Sequence, residues 1–462
     1  MTTNGADTHQ GAFMSDVLIQ PKISSFPLSE DRELLRAIFE IKRACAKANC
    51  ITGKLSDEKA SQITMACDEL ISGKHNEELK TDKSAPFNVI AADADALILS
   101  LTTGLERSDL DVSQASNDVM FSAQGIALYR YAKDMLGAAR ELEVALEEKA
   151  VQFSSLVRCG RVGQRDSVPM TFGQVIAGWK SALSRARRHV EMLLPEQLEL
   201  VLGGTMLGTG FGSSPQYRKA VYETLATETG LPVKPAMSES AVADSAFFET
   251  YQGHGKLLSL MGAVKVLAYS AGKMANDLYV FSSGPRTGYR EFVLPAIAPG
   301  SSIMPGKLNP LMPELVLQVM QQIFANETLL SLTSNDLSLD VDTFNSDNYN
   351  AVAESCYILK GAMHQFTELC IKGLTVNADF CAKQAEKSLA LSHVVGLLFG
   401  KETETAVRTE AIRTGKTIKA VCVAEKILRQ EEAETVFSML TLARAETSAS
   451  MLETFIKQHS KA

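Results

Sequence analysis

Long, uninterrupted helical repeats dominate this chain. Between residues 118 and 153, apolar side chains such as Met135, Leu142 and Leu146 recur at three- and four-residue spacing. That spacing places them along one face of an α-helix, and the segment is far longer than the ~11–12 residues of an ordinary globular helix. Similar patterns cover residues 170–194, 253–280 and 313–332. Four such helices predict a helical bundle.

Several of these helices are apolar on more than one side. The stretches "GQVIAGWKSAL" and "PELVLQVMQQIF" carry apolar residues around most of the helix circumference. A helix of this kind must bury a second face, and another copy of the same chain is the simplest partner. We therefore expect a homo-oligomer. Two further helices are predicted within residues 31–71, and shorter helices after residue 361.

Composition excludes several classes of protein. The formal charge is -8, and no Lys/Arg run would form a phosphate-binding stripe, so a nucleic-acid partner is not expected. The eight cysteines form neither a CxxC pair nor a Cys/His cluster, which argues against a zinc site or a disulfide framework. No apolar run approaches the ~20 residues that span a membrane, and the polar N-terminus lacks a signal-peptide pattern. We expect a cytoplasmic protein with no membrane partner and a small-molecule substrate.

The stretch "GSSIMPGKLNP", residues 300–310, interrupts the helical pattern. Glycines permit unusual backbone angles and prolines stiffen the remainder, so the loop can move as a unit. Its polar groups are Ser301, Ser302, Lys307 and Asn309. Two hydroxyls, one cation and one amide suit a site that grips a carboxylate and supplies an oxygen base. A plain surface loop is the alternative interpretation.

Three more polar or glycine-rich segments lie between the long helices. "SQASND", residues 113–118, places Ser116 and Asn117 just before a long helix, where helix capping is the simpler explanation. "GRVGQRDSVPMTFGQ" and "GGTMLGTG" begin at residues 160 and 203 and are predicted to be loops. Each segment alone is weak support for a site.

Together and in this order, the segments resemble the aspartase/fumarase superfamily of lyases. Residues 300–310 match its signature GSSxMPxKxN at every fixed position, "SQASND" is similar to its QSTND segment, and "GGTMLGTG" is similar to its GGTAxGTG run. The resemblance implies an all-α fold of three domains: N-terminal residues 1–108, a central long-helix bundle of residues 109–364, and a small C-terminal domain of residues 365–462. It also implies a homotetrameric core with active sites shared between subunits.

The resemblance further implies a reaction and a set of site residues. Family members remove a proton from the carbon next to an activating group and expel an amine or hydroxyl from the neighbouring carbon. By this resemblance Ser301 is the catalytic base, Lys307 and Asn309 hold a substrate carboxylate, and Ser302 adds a hydrogen bond. Ser116 and Asn117 line the leaving-group side. No metal and no organic cofactor are expected.

The chain departs from the family at polar positions of the pocket. Ala85, Ala115 and Val162 replace hydroxyl-bearing residues, and Gly163 replaces a histidine or glutamine. Lys387, in "LTVNADFCAKQAEKSLAL", replaces the asparagine of the family's NS pair and is a candidate substrate ligand. A buried carboxylate without its partners would cost several kcal/mol, which disfavours a four-carbon dicarboxylate.

These departures favour a carbon–nitrogen lyase that acts on an amino-acid-like or betaine carboxylate. Elimination of trimethylamine, as in ergothionase, is the favoured specific case. Candidates to face its cation are Phe87, Tyr349, Asp340 and Asp342. Aspartate ammonia-lyase or fumarase-type hydratase activity is the alternative, and a catalytically inactive structural homologue is an alternative of another class.

Overall fold

A computed structural model gives the fold and describes residues 31–75, 87–237, 247–297, 303–304, 306–334, 339–342 and 346–459. Helices make up most of this part of the chain. The N-terminal helices are α1 (Arg32–Ile51), α2 (Asp57–Ile71), α3 (Phe87–Ser100) and α4 (Arg107–Leu110). The central helices are α5 (Ser116–Gln152), α6 (Phe172–Leu193), α7 (Pro215–Thr229), α8 (Phe247–Gln252), α9 (Gly255–Phe281), α10 (Leu311–Thr333) and α11 (Ser346–Phe366). The two N-terminal and four long central helices predicted from the repeats are confirmed.

Shorter helices follow toward the C-terminus. They are α12 (Ala378–Ala385), α13 (Ser392–Phe399), α14 (Lys401–Thr414), α15 (Ile418–Ala424), α16 (Gln430–Val436), α17 (Met439–Leu442) and α18 (Ala445–His459). A π-helical turn, Thr367–Ile371, extends α11, and 3-10 turns cover Leu194–Leu198 and Leu389–Leu391. Among the described helices, none is both long and apolar enough to cross a membrane.

In the described part of the chain, three two-stranded sheets accompany the helices. β1 (Val157–Val162) and β2 (Arg165–Thr171) form an antiparallel hairpin, in which Val157 pairs with Thr171 and Arg161 with Asp166. β3 (Glu199–Leu200) pairs in parallel with β4 (Lys234–Pro235), and β5 (Phe292–Val293) pairs antiparallel with β6 (Thr375–Val376). The all-α prediction therefore holds, with minor strands added at the connections.

The residues pack as two compact units. The described residues of Met1–Ala139, Arg185–Ala271 and Val316–Met363 form the first unit, and those of Arg140–Ser184, Gly272–Leu315 and His364–Ala462 form the second. The boundaries fall inside five long helices, so each of these helices contributes residues to both units. The three-domain division at residues 108 and 364 remains a prediction.

A buried carboxylate organises the first unit. Asp31 caps α1, accepting a hydrogen bond from the Leu34 amide at 2.9 Å. The same carboxylate accepts the hydroxyl of Tyr131 at 2.7 Å and that of Tyr349 at 2.6 Å. Burial raises the pKa of Asp31, and the hydrogen bonds from the two tyrosines partly oppose this rise. One aspartate therefore ties the start of α1 to α5 and α11.

In the second unit, the small C-terminal helices enclose their own apolar core. Its buried members include Val395, Val407, Val421 and Val436, one from each of the helices α13 to α16. Phe455 of α18 closes this core, and its ring packs edge-on against Phe399 at 5.9 Å. These short helices are amphipathic, and mutual burial rather than length stabilises them.

Candidate active site

The signature loop is described only in part. Ser301 and Ser302 lie outside the described residues, so their predicted roles remain predictions. Lys307 and Asn309 are exposed in the second unit, immediately before α10. A left-handed Gly306, with φ of 80°, precedes the lysine. The amide of Leu311 donates to the carbonyl of Asn309 at 2.9 Å, which fixes the backbone where α10 begins.

Ser116 and Asn117 are the first residues of α5 in the first unit. Both are half-buried. The side-chain amide of Asn117 donates to the carbonyl of Met206 at 3.0 Å, and Met206 belongs to the "GGTMLGTG" segment. The structure thus brings two of the sequence-predicted segments into direct contact.

Asp118 makes the stronger link between these segments. One carboxylate oxygen accepts the amide of Ala115 at 2.8 Å, and the other accepts those of Gly203 at 2.9 Å and Thr205 at 3.3 Å. The side chain is fully buried. Burial raises its pKa to about 7, and the three backbone donors partly oppose that rise. The local sequence predicts only a capping segment here, because the role of Asp118 depends on a contact with Gly203, 85 residues away.

The glycine-rich segment needs its glycines. Gly203, Gly208 and Gly210 all have positive φ, as does Thr205. A Cβ atom added at Gly203 would lie 2.4 Å from the Arg218 side chain. The hydroxyl of Tyr251 donates to the carbonyl of Thr205 at 2.7 Å and supports the strained residue. The segment is therefore held in one conformation against the start of α5.

The segment that begins at residue 160 is a hairpin rather than a loop, which corrects the prediction. Gly163 and Gln164 form its turn, with φ of 55° and 65°. Two consecutive left-handed residues give the backbone twist that tight hairpins require. Val162, at the end of β1, leaves 75% of its surface exposed. At this turn the chain offers an isopropyl group and a glycine where the family carries polar side chains.

Lys387 lies in the second unit, just beyond α12, and lines a cavity of about 220 Å³. Arg161 and Asp166 of the hairpin line the same cavity. Two segments in which the chain departs from the family, the hairpin and the "KS" pair, thus meet at one place. The hydroxyl of Ser388 donates to the carbonyl of Ser167 at 2.8 Å and joins them.

Two of the suggested cation-facing residues are wrong. Tyr349 is fully buried, and its hydroxyl is bound to Asp31. Asp342 is also buried and forms a close hydrogen bond with the imidazole of His254. Asp340 is exposed. The side chain of Phe87 and the whole of Ala85 lie outside the described residues. Tyr349 and Asp342 are therefore part of the protein interior, because their polar atoms are hydrogen-bonded to other residues of the protein.

Among the described residues, we also compared the groups that could bind a metal ion and the thiols. Within the described ranges, no three His, Cys, Asp or Glu side chains are grouped to hold a metal ion. All eight cysteines are free, and seven of them are buried.

Comparison with known proteins places the chain among enzymes. Residues 7–325 match a family model described as "Lyase". Class II fumarate hydratase of Chromobacterium violaceum is 32% identical over 431 residues, covering 89% of this chain and 92% of that relative. Aspartate ammonia-lyase of Pseudomonas aeruginosa is 31% identical over 438 residues, covering 92% of this chain and 91% of that relative.

Solved structures agree with this fold. A fumarate lyase:delta crystallin from Brucella melitensis bound to cobalt superposes with a TM-score of 0.83 and 27% identity, over 96% of this chain and 97% of that one. The class II fumarase of Schistosoma mansoni superposes with a TM-score of 0.81 and 25% identity, over 94% of each chain. The chain belongs to the lyase family that includes fumarases and aspartate ammonia-lyases, the aspartase/fumarase superfamily.

Proposed function

We propose that this lyase is a carbon–nitrogen lyase, which eliminates an amine from an amino-acid-like or betaine carboxylate to leave an unsaturated acid. Release of trimethylamine, as in ergothionase, is the favoured specific case. The observation that carries the proposal is the hairpin turn, where Val162 and Gly163 stand at the positions of the family's hydroxyl and of its histidine or glutamine.

The leaving group explains why that observation matters. Hydroxide leaves a carbon atom readily only when an acid protonates it. A substituted ammonium leaves as a neutral amine and needs no proton at all. A quaternary ammonium also donates no hydrogen bond. Apolar neighbours such as Val162 and Ala115 therefore leave none of its hydrogen-bond donors unsatisfied. A turn with valine and glycine at these two positions therefore suits an amine better than a hydroxyl.

In the proposed mechanism Ser301 is the base. Closure of the signature loop surrounds its oxygen with backbone donors and excludes water, so that the ionised form becomes accessible. The oxygen takes the proton from the activated carbon, the electron pair forms the new double bond, and the carbon–nitrogen bond breaks toward nitrogen. Lys307 and Asn309 hold the carboxylate, Ser302 adds a hydrogen bond, and Lys387 contacts the substrate.

Ser116 and Asn117 are proposed to line the leaving-group side. Their position is supported by the contacts of Asn117 and Asp118 with the glycine-rich segment, which fix the start of α5. Ala115 lies next to them in place of the family's hydroxyl and is half-buried. A larger, less polar substituent than an ammonium group fits such a surface.

We further propose a cytoplasmic homotetramer whose active sites are shared between subunits. Exposed apolar side chains on the long helices support this assembly. Leu258, Val266 and Tyr269 lie at three- to eight-residue intervals on one side of α9 and are 38%, 46% and 55% exposed. A stripe of this kind is suited to packing against a second copy of the same helix.

Hydration of fumarate is the second candidate. It is favoured by the 32% identity to a class II fumarate hydratase along most of both chains. A catalytically inactive protein is the remaining alternative, since one structural relative carries the name delta crystallin.

An amine-release assay separates these candidates. The purified protein is incubated with ergothioneine, related betaines or aspartate, and released trimethylamine and ammonia are measured separately. We expect trimethylamine from ergothioneine, and loss of at least about a thousandfold in Ser301→Ala because the base is removed. Ser450→Ala, an exposed serine of α18, is the control and should match wild type. Hydration of fumarate without amine release would favour the second candidate.

A further inference from the structure

The cavity beside the hairpin carries charges of both signs that do not pair with one another. Lys387 contributes an ammonium group and Asp166 a carboxylate. Both are exposed, and neither forms an ion pair or a side-chain hydrogen bond with any residue in the described part of the chain. An ion pair between them would be the simplest outcome for two flexible opposite charges. Because they form none, both charges remain available to a ligand.

Contacts of their chain neighbours fix the backbone positions of the two charged residues. Ser388 and Ser167, the chain neighbours of Lys387 and Asp166, are joined by a 2.8 Å hydrogen bond. Asp166 is also the cross-strand partner of Arg161 in the hairpin. The positions that bear the charges are therefore set by α12 and the hairpin, whereas the side chains can adjust to a guest.

A rigid guanidinium group adds positive potential to the same cavity. Arg161 donates to the buried carboxylate of Glu291, which also accepts Nε of Arg158 at 2.6 Å. Its guanidinium lies 4.7 Å above the ring of Tyr289. Two arginines share one carboxylate, so this cluster keeps one net positive charge that burial and stacking hold in place.

We propose that this cavity binds a small zwitterion, with its carboxylate toward Lys387 and Arg161 and its cationic nitrogen toward Asp166. A simple anion would meet the carboxylate of Asp166, and a simple cation would meet Lys387 and Arg161, so either is disfavoured. A volume of about 220 Å³ suits a ligand the size of an amino acid or a betaine.

The inference rests on the proposed function in one respect, namely that Lys387 is a substrate ligand and the substrate carries both a carboxylate and a cationic nitrogen. It deepens that function by adding Asp166 as a contact for the nitrogen. Lys387 and Arg161 add positive charge for the carboxylate that Lys307 and Asn309 are proposed to hold.

Calorimetric titration of the full chain with glycine betaine tests the proposal. Glycine betaine carries both charges but has no second carbon from which a proton could be eliminated, so binding is measured without reaction. We expect Lys387→Met and Asp166→Asn each to weaken binding at least about tenfold, because each removes one charged contact. Lys383→Met and Asp379→Asn remove exposed charges of α12 that do not line the cavity, and should bind as wild type.

Two half-ligands sharpen the result. Acetate carries only the carboxylate and choline only the quaternary nitrogen, so both should bind more weakly than glycine betaine. Asp166→Asn should reduce the ratio of the affinity for glycine betaine to that for acetate. Lys387→Met should reduce the ratio of the affinity for glycine betaine to that for choline. Absence of glycine betaine binding, or equal binding by wild type and both cavity variants, would overturn the inference.

The same titration separates this inference from the proposed reaction. Ser301→Ala should abolish amine release and leave glycine betaine binding unchanged. Normal binding that depends on Asp166 and Lys387, together with no amine release by wild type from any substrate, would contradict the proposed function while supporting the zwitterion site.

Discussion

At the scale of single residues, buried carboxylates decide how the first unit is joined. Asp118 satisfies three backbone amides from two segments, and Asp31 satisfies one amide and two tyrosine hydroxyls. In both cases a short acidic side chain collects donors that would otherwise be buried without partners. Asp118 thereby fixes the start of α5, where Ser116 and Asn117 lie.

Removal of the Asp118 carboxylate should loosen the glycine-rich segment. Asp118→Ala leaves three amides without their acceptor, and we expect the free energy of unfolding to fall by roughly 3 kcal/mol. Hydrogen exchange at residues 203–210 should accelerate, and kcat should fall more than KM rises. Asp379→Asn, an exposed change on α12, is the control. Unchanged exchange at residues 203–210 would show that Asp118 does not hold this segment.

The pKa of Asp118 also predicts a pH dependence. Burial raises this pKa to about 7 from an ordinary value of 3.8, so ionisation opposes folding. The corresponding stability is complete below about pH 4 and is lost as the pH rises through about 7. We expect the unfolding free energy of wild type to fall relative to that of Asp118→Asn across this range. Urea titrations at several pH values measure the difference, and a constant difference would contradict the raised pKa.

At the scale of elements, the sequence predicts the long helices well and the hairpin poorly. Apolar residues repeated over residues 118–153 leave one regular structure available, and the observed helix, Ser116–Gln152, agrees closely. The hairpin strands are short and contain Gly160 and Pro169, which usually disfavour strands. A bulge between Cys159 and Arg161 accommodates these two residues. No local sequence pattern predicts this bulge.

The hairpin turn gives a matched pair of glycine substitutions. Gly163 has a φ of 55°, so Gly163→Ala should lower the free energy of unfolding by about 1 kcal/mol. Gly178 lies inside α6, and a Cβ added there meets nothing within 4 Å. Gly178→Ala should therefore raise stability by about 0.5–1 kcal/mol. Thermal unfolding of both variants checks the signs, and a neutral Gly163→Ala would contradict the left-handed turn.

Site residues were predictable only where a local motif carries them. Lys307, Asn309, Ser116 and Asn117 follow from quoted motifs, whereas Asp118's role depends on contacts with Gly203 and Thr205. Tyr349 was misassigned for the same reason. Its aromatic ring suggested a cation contact, but its hydroxyl binds Asp31, more than 300 positions away in the chain. The local sequence does not predict which buried polar groups pair over long distances along the chain.

At the scale of the whole molecule, assembly is the property that the exposed helix faces predict. Val266→Asp places a charge in the apolar stripe of α9. This variant should dissociate the proposed tetramer, because burying an unpaired charge in the interface has a large free-energy cost. Leu397→Asp, on the comparably exposed surface of α13, should leave assembly intact. Light scattering after gel filtration measures the mass. Wild type that elutes as a monomer would contradict the assembly.

We propose that this lyase eliminates an amine and not water. The most direct test compares two reactions of one wild-type preparation: release of trimethylamine from ergothioneine and hydration of fumarate. We predict that kcat/KM for trimethylamine release exceeds that for hydration by at least about a hundredfold, a difference of about 2.7 kcal/mol in transition-state stabilisation. Faster hydration of fumarate, with no detectable trimethylamine, would contradict the claim.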